Sequence, residues 1–245
     1  MKQAKIIGLT TVIALSGIIL VACGSKTSEQ KNIQFSIPTD VASLDTTILT
    51  DQYSYDVAGN VEEGLTRVDS KGNAALALAK SIDVSKDGLT YTVTLRDNLK
   101  WSNGDRLTAK DFVYSWKRAV DPKTGSEYAY LMGAVSGAND IISGKSSLDS
   151  LGIKAESDTE FTVTLAQPTP YFKFLLSEPV YYPLDQKVVD KYGKQYGTSS
   201  DKTVYNGPFM FKSDKGWTGT NKTFSIYANP NYYDKSAVKS KQIDF

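Results

Sequence analysis

Histidine is missing from this 245-residue chain and cysteine occurs once, at position 23. The first absence removes the side chain most used as a general base and as a transition-metal ligand, which excludes serine–histidine and cysteine–histidine catalysis. The second excludes an intrachain disulfide and a thiolate zinc cluster. Runs of one charge are missing too. The chain has 28 basic and 27 acidic side chains, or 26 against 27 once Lys2 and Lys5 in an expected leader are discounted. A nucleic-acid surface gathers many Lys and Arg on one face, so no nucleic acid is expected as a partner. What remains is an ordinary soluble composition, 40% hydrophobic with mean hydropathy −0.30, long enough for one large domain or two small ones.

Cys23 takes its meaning from its position. Lys2 and Lys5 precede a mostly apolar stretch from Ile6 to Ala22, the layout of a secretory signal. The stretch ends Leu20-Val21-Ala22-Cys23, which resembles the bacterial lipobox. That resemblance implies a signal peptide over 1–22, a diacylglyceryl group on the Cys23 sulfur and a lipid anchor on the extracellular face of the cell membrane. The alternative is an uncleaved signal anchor. Against it, Gly8, Thr10, Thr11, Ser16 and Gly17 dilute a segment already short of the ~20 apolar residues that a span needs. Residues 23–32 are small, polar and charged with nothing to bury, and read as a flexible tether.

The exported body starts near Ile33. Ile33-Gln34-Phe35-Ser36-Ile37 alternates apolar and polar, as a strand with one buried face does, and Pro38 ends it. Tyr91, Val93 and Leu95 alternate with threonines after the Asp87-Gly88 turn, and Phe161, Val163 and Leu165 repeat the pattern, predicting two neighbours in one sheet. Between them Thr108-Ala109-Lys110-Asp111 fits a capping box. It opens a helix whose stripe Phe112, Val113, Trp116, Ala119 and Val120 is core, and Asp121-Pro122 stops it. Tyr181 to Tyr196 suggests another helix, and Asn206-Gly207-Pro208 a sharp turn before Phe209-Met210-Phe211. The adjacent Glu62 and Glu63 read as helix surface rather than as an acid–base pair. No aspartate cluster resembles a calcium loop, so no metal is expected. Strands and helices interleave irregularly, which indicates a mixed α/β fold.

Several segments resemble the family 5 extracellular solute-binding proteins, the receptors of ABC importers for oligopeptides, dipeptides and nickel. The resemblance is carried by Ala77-Leu78-Ala79-Lys80-Ser81, by Asp87-Gly88 through Leu95-Arg96, by Lys100-Trp101-Ser102-Asn103-Gly104-Asp105 and by Leu107-Thr108-Ala109-Lys110-Asp111-Phe112. Ser43-Leu44-Asp45, Glu63-Gly64-Leu65, Tyr114-Ser115-Trp116, Pro168-Thr169-Pro170-Tyr171-Phe172 and Asn206-Gly207-Pro208-Phe209 follow in family order, as does Asn229-Pro230-Asn231-Tyr232-Tyr233-Asp234.

The resemblance implies a periplasmic-binding-protein-like fold of type II, in the large class with an inserted extra domain. Residues 33–63 and 186–245 would belong to the first lobe and 64–185 to the insertion. Family members run to more than twice this length, so the second lobe is expected to be missing. Gln242-Ile243-Asp244-Phe245 resembles the start of a strand.

The implied function is capture of oligopeptides for the permease subunits of an ABC importer, without enzymatic chemistry and without a cofactor. The alternative is a shortened paralogue, or a peptide-pheromone receptor or adhesion lipoprotein with no transport of its own. In peptide-binding members a segment after the first-lobe Leu-Asp pairs with the extended peptide through its backbone. An ungapped count places that segment at Thr50, Asp51 and Gln52, which would equally serve as an ordinary surface loop. Tyr128 stands where the family has a pocket-wall tyrosine, and would equally serve as packing against the insertion. Tyr53, Tyr55 and Tyr130 are weaker candidates.

Overall fold

A computed structural model describes residues 32–245. The leader, Cys23 and the tether up to residue 31 lie outside them. Among the described residues, no helix is long and apolar enough to cross a membrane.

In chain order the elements are β1 (Ile33–Gln34), α1 (Gln52–Val61), β2 (Thr66–Val68), β3 (Ala74–Leu76), β4 (Ala79–Val84), β5 (Thr90–Leu95), α2 (Ala109–Val120), α3 (Ala138–Ile142), β6 (Ile153–Ala155), β7 (Glu160–Thr164), α4 (Phe172–Leu175), α5 (Gln186–Tyr192), β8 (Phe209–Phe211), β9 (Ser225–Ala228) and β10 (Gln242–Asp244). Two four-stranded sheets result, ordered β1-β10-β9-β8 and β4-β5-β7-β6, with β2 and β3 forming a separate hairpin. The first sheet draws its strands from both ends of the described chain. The second is made wholly by the span between them.

The threonine-rich strands are neighbours, as their alternation predicts: β5 and β7 pair antiparallel with Tyr91 opposite Val163 and Val93 opposite Phe161. Those four side chains point into the larger core, and the threonines line the other face. The α2 stripe closes this core, Phe112 stacking on Phe161 at 5.3 Å between centroids while Trp116 meets the same ring edge-on at 6.1 Å. The Trp116 indole N–H is satisfied inside, donating to the Tyr181 carbonyl at 2.9 Å. At the start of α2 the Asp111 carboxylate accepts from the Thr108 N–H at 2.6 Å and from its hydroxyl at 3.1 Å. The smaller core sets Val57 and Val61 of α1 against Phe209, Phe211, Ile226 and Ile243 of the first sheet.

Three local expectations need correction. The alternating run from Ile33 to Ile37 forms only a two-residue strand, parallel to β10, and Ile33 and Phe35 are exposed. Among the described residues it is an edge strand with β10 as its one partner, so half of its backbone goes unpaired and the strand stays short. The helix expected over Tyr181–Tyr196 is shorter. Pro179–Tyr181 forms a 3₁₀ turn and Pro183 interrupts the chain. The Asp185 side chain then caps α5, accepting from Lys187 N at 2.9 Å, and Gly193, at φ +52°, ends it. Glu62 and Glu63, finally, are not helix surface: they are 2% and 6% exposed. The chain leaves α1 at Glu62 in an extended conformation and passes beneath the turn before β8, where the Glu63 N–H donates to Asn206 Oδ1 at 2.8 Å and Gly207 N–H to the Val61 carbonyl at 2.9 Å. Asn206 and Gly207 thus clamp the backbone at the end of α1, and the Glu63 carboxylate accepts from the Tyr232 hydroxyl at 3.1 Å.

Candidate functional site

Thr50, Asp51 and Gln52 precede and begin α1. Asp51 is extended, at φ −111° and ψ 146°, and its carboxylate caps the helix by accepting from Ser54 N at 2.9 Å. Thr50 is exposed, and among the described residues neither its N–H nor its carbonyl has a hydrogen-bond partner. The loop in front of it is tied down from the other side. Asp45 takes a two-pronged ion pair from Arg118 of α2, at 2.9 and 2.6 Å, and the Thr47 carbonyl accepts from Ser126 Oγ at 2.6 Å. The same Ser126 stands two residues before Tyr128, which enters a 3₁₀ turn over Ala129–Ala134. That turn is held in turn by the Tyr181 hydroxyl, which donates to the Leu131 carbonyl at 2.7 Å.

These ties bring all four sequence-derived candidates, Thr50, Asp51, Gln52 and Tyr128, to the wall of one open cleft of about 310 Å³, together with Tyr55, Tyr130, Leu131 and Glu178. The Tyr55 ring stands edge-on to Tyr128 at 6.1 Å, and Tyr130 lies tilted against Tyr128 at 6.0 Å. Burial raises the Tyr55 hydroxyl pKa well above the usual phenol range, and the nearby Glu178 carboxylate raises it further. Burial also raises the Glu178 carboxyl. Tyr53 does not line this cleft. Leu131 and Glu178 were not legible as site residues. For Glu178 the available signal is a lone acid within an aromatic-rich run, Tyr171 to Tyr182, just before a proline.

Chemically, the cleft offers aromatic faces, one amide, one hydroxyl, free backbone groups and carboxylates, a set suited to holding a polar ligand rather than to transforming one. Among the described residues no group of three or more His, Cys, Asp or Glu side chains is placed to hold a metal ion. A larger groove of about 860 Å³ runs along the exposed edge of the first sheet, between Phe35 and the 214–224 loop. The Asp244 carboxylate in it is already satisfied by the Ser225 hydroxyl at 2.6 Å and the Gln242 amide, and none of the sequence-derived candidates reaches it.

Known proteins resemble this one throughout the described span. A dipeptide-binding protein of Lactococcus lactis subsp. cremoris (strain MG1363) is 98% identical over 245 residues, which is all of this chain and 44% of that protein. The oligopeptide-binding protein OppA of Bacillus subtilis (strain 168) is 37% identical over 247 residues, 96% of this chain and 45% of the relative. Among solved structures, Listeria monocytogenes OppA bound to peptide superposes with a TM-score of 0.85 at 41% identity, covering 89% of this chain and 42% of that one. The chain therefore spans less than half the length of the relatives it matches, and its fold is the corresponding part of theirs, a first lobe with its inserted domain. The model of the bacterial extracellular solute-binding proteins, family 5 middle, matches residues 73–245, and the chain belongs to that family.

Proposed function

We propose that this protein captures oligopeptides outside the cell for an ABC importer, as a substrate-binding component held to the outer face of the cell membrane by a lipid on Cys23. The observation that carries the reading is the convergence of Thr50, Asp51, Gln52 and Tyr128 on one cleft in a chain of this family. An exposed Thr50 whose peptide N–H and carbonyl have no partner among the described residues offers an extended peptide what a strand edge offers, affinity from main-chain hydrogen bonds that depends little on peptide sequence. Tyr55, Tyr128 and Tyr130 add broad apolar faces with polar tips, which accept varied side chains. The names of the Lactococcus and Bacillus relatives, a dipeptide-binding and an oligopeptide-binding protein, support the ligand class. Residues 33–63 and 186–245 are assigned to the first lobe and 64–185 to the inserted domain, the peptide lying where the first lobe faces a second.

Isothermal titration with peptides of two to eight residues tests the reading. Saturable binding is expected, and Tyr128→Ala is expected to weaken it by about tenfold, the loss of one aromatic wall. The absence of heat with every peptide sinks it. Anchoring is tested separately. Cys23→Ala is expected to move the protein out of the membrane fraction or to leave an unprocessed precursor. Retention at the processed mass refutes lipidation.

A further inference from the structure

We infer that the tyrosine-lined cleft is a subsite for a cationic group on the peptide, an ammonium or guanidinium, and that Glu178 is the residue that selects it. This rests on the peptide-binding reading above and names the chemistry it favours.

The charge of the cleft points that way first. Among the described residues its lining includes two acids, Asp51 and Glu178, and no lysine or arginine. The two acids are not equivalent. Asp51 is committed to the α1 cap through Ser54 N. Among the described residues, the Glu178 carboxylate has neither a hydrogen bond nor an ion pair, although its backbone is fixed: its N–H donates to Leu175 O at 3.0 Å and its carbonyl accepts from Tyr181 N at 2.9 Å. Pro179 behind it narrows the backbone choices further. Glu178 is therefore an uncommitted anion on a rigid mount.

Its surroundings make such an anion selective. Glu178 is partly buried in the cleft wall, and that burial raises its carboxyl. A cation entering the cleft gains an ion pair less screened by water than one on an open surface. Tyr55, Tyr128 and Tyr130 line the same cavity, and aromatic rings attract cations as well. An anionic side chain in this place meets two carboxylates and no counter-charge.

The cation has two sources on a peptide, the amino terminus and a lysine or arginine side chain. Calorimetric titration of the purified, full-length protein distinguishes them. The probes are a tetra-alanine peptide and its single-lysine and single-norleucine variants at each position, each with a free or an acetylated amino terminus. If the subsite takes a side chain, lysine at one position binds about ten- to hundredfold tighter than norleucine, the range for a charge-assisted hydrogen bond. If it takes the terminus, acetylation weakens binding by a similar factor.

In either case Glu178→Gln is expected to abolish the ratio, and Glu178→Asp to restore part of it. Wild-type binding with ratios that Glu178→Gln leaves unchanged overturns the inference and spares the peptide-binding reading, as does wild-type binding with no cation preference at all. Failure of every peptide to bind the wild type removes that reading, and this inference with it.

Discussion

Replacing Glu62 by glutamine should make the protein progressively more stable than the wild type as pH rises from 5 to 8. Glu62 is 2% exposed, and neither carboxylate oxygen finds a hydrogen-bond partner among the described residues. The charge acting on it is Asp45, which is itself paired with Arg118 on both prongs. Burial therefore pushes the Glu62 carboxyl well above its ordinary value, and the Asp45 carboxylate pushes it further. The direction of the pH effect follows. Below the ordinary carboxylate range, folded and unfolded chains both hold the proton and the group is neutral in the balance. Above it the unfolded chain releases the proton while the folded chain keeps it, so each further pH unit lowers stability by about 1.4 kcal/mol until the folded carboxyl itself ionises. Between pH 5 and 7 the ceiling is therefore about 2.7 kcal/mol. Glutamine has nearly the same shape and cannot ionise, so the variant escapes this slope. Urea unfolding of both proteins at half-unit steps reads it directly. Asp111, whose carboxyl burial raises to about 6, titrates in both proteins and drops out of the difference. Stability curves that run parallel from pH 5 to 8 would refute the argument, since they would mean that Glu62 is charged and compensated in the folded protein.

Arg118→Ala leaves Asp45, 2% exposed, without its partner, and stability measured by urea unfolding is expected to fall by about 3–5 kcal/mol. Adding Asp45→Asn should recover part of that loss, because the stranded charge goes with it. Gly197→Ala should cost clearly more than Gly72→Ala. Both glycines have positive φ, +71° and +79°, so each alanine carries about 1–2 kcal/mol of backbone strain. Only at 197 does the new Cβ meet backbone, 2.4 Å from Asp45 N, whereas at 72 nothing lies within 4 Å. Equal melting temperatures for the two variants would show that the loop at Asp45 yields freely.

The elements legible in the sequence are those whose pattern is local and repeated. The β5 and β7 alternation and the α2 stripe each place several apolar side chains on one face, and the Thr108–Asp111 start is a four-residue signal, so each declares itself without reference to the rest of the chain. The Ile33–Ile37 run has the same alternation yet stays mostly unpaired, because strand length depends on what lies alongside, and only β10 does. Short-range pattern carries no record of neighbours. The cleft was legible in part for a different reason. Thr50, Asp51, Gln52 and Tyr128 were located through the family resemblance, whereas Glu178 belongs to no motif and reaches the cleft through the turn that Pro179 begins.

Glu62 and Glu63 show why the remainder was out of reach. On a helix, adjacent carboxylates point apart and normally into water, and the sequence around Val61 gives no sign otherwise. The Glu63 carboxylate accepts from the distant Tyr232 hydroxyl, and the backbone of the pair is pinned from 143 residues away by Asn206, which donates to the Glu63 carbonyl and accepts from its N–H, and by Gly207, where any Cβ would sit 2.6 Å from the Val61 backbone. A glycine is required there because the two backbones nearly touch. That contact joins the loop-and-helix segment carrying Thr50 to the strand β8, so the floor of the smaller core and one wall of the cleft are set by the same approach. Burial of an unpaired acid at this junction is an energetic burden on a fold that would be more stable without it. The pH slope of Glu62→Gln therefore reports whether the acid held at this junction of α1 and the first sheet keeps its proton in the folded protein.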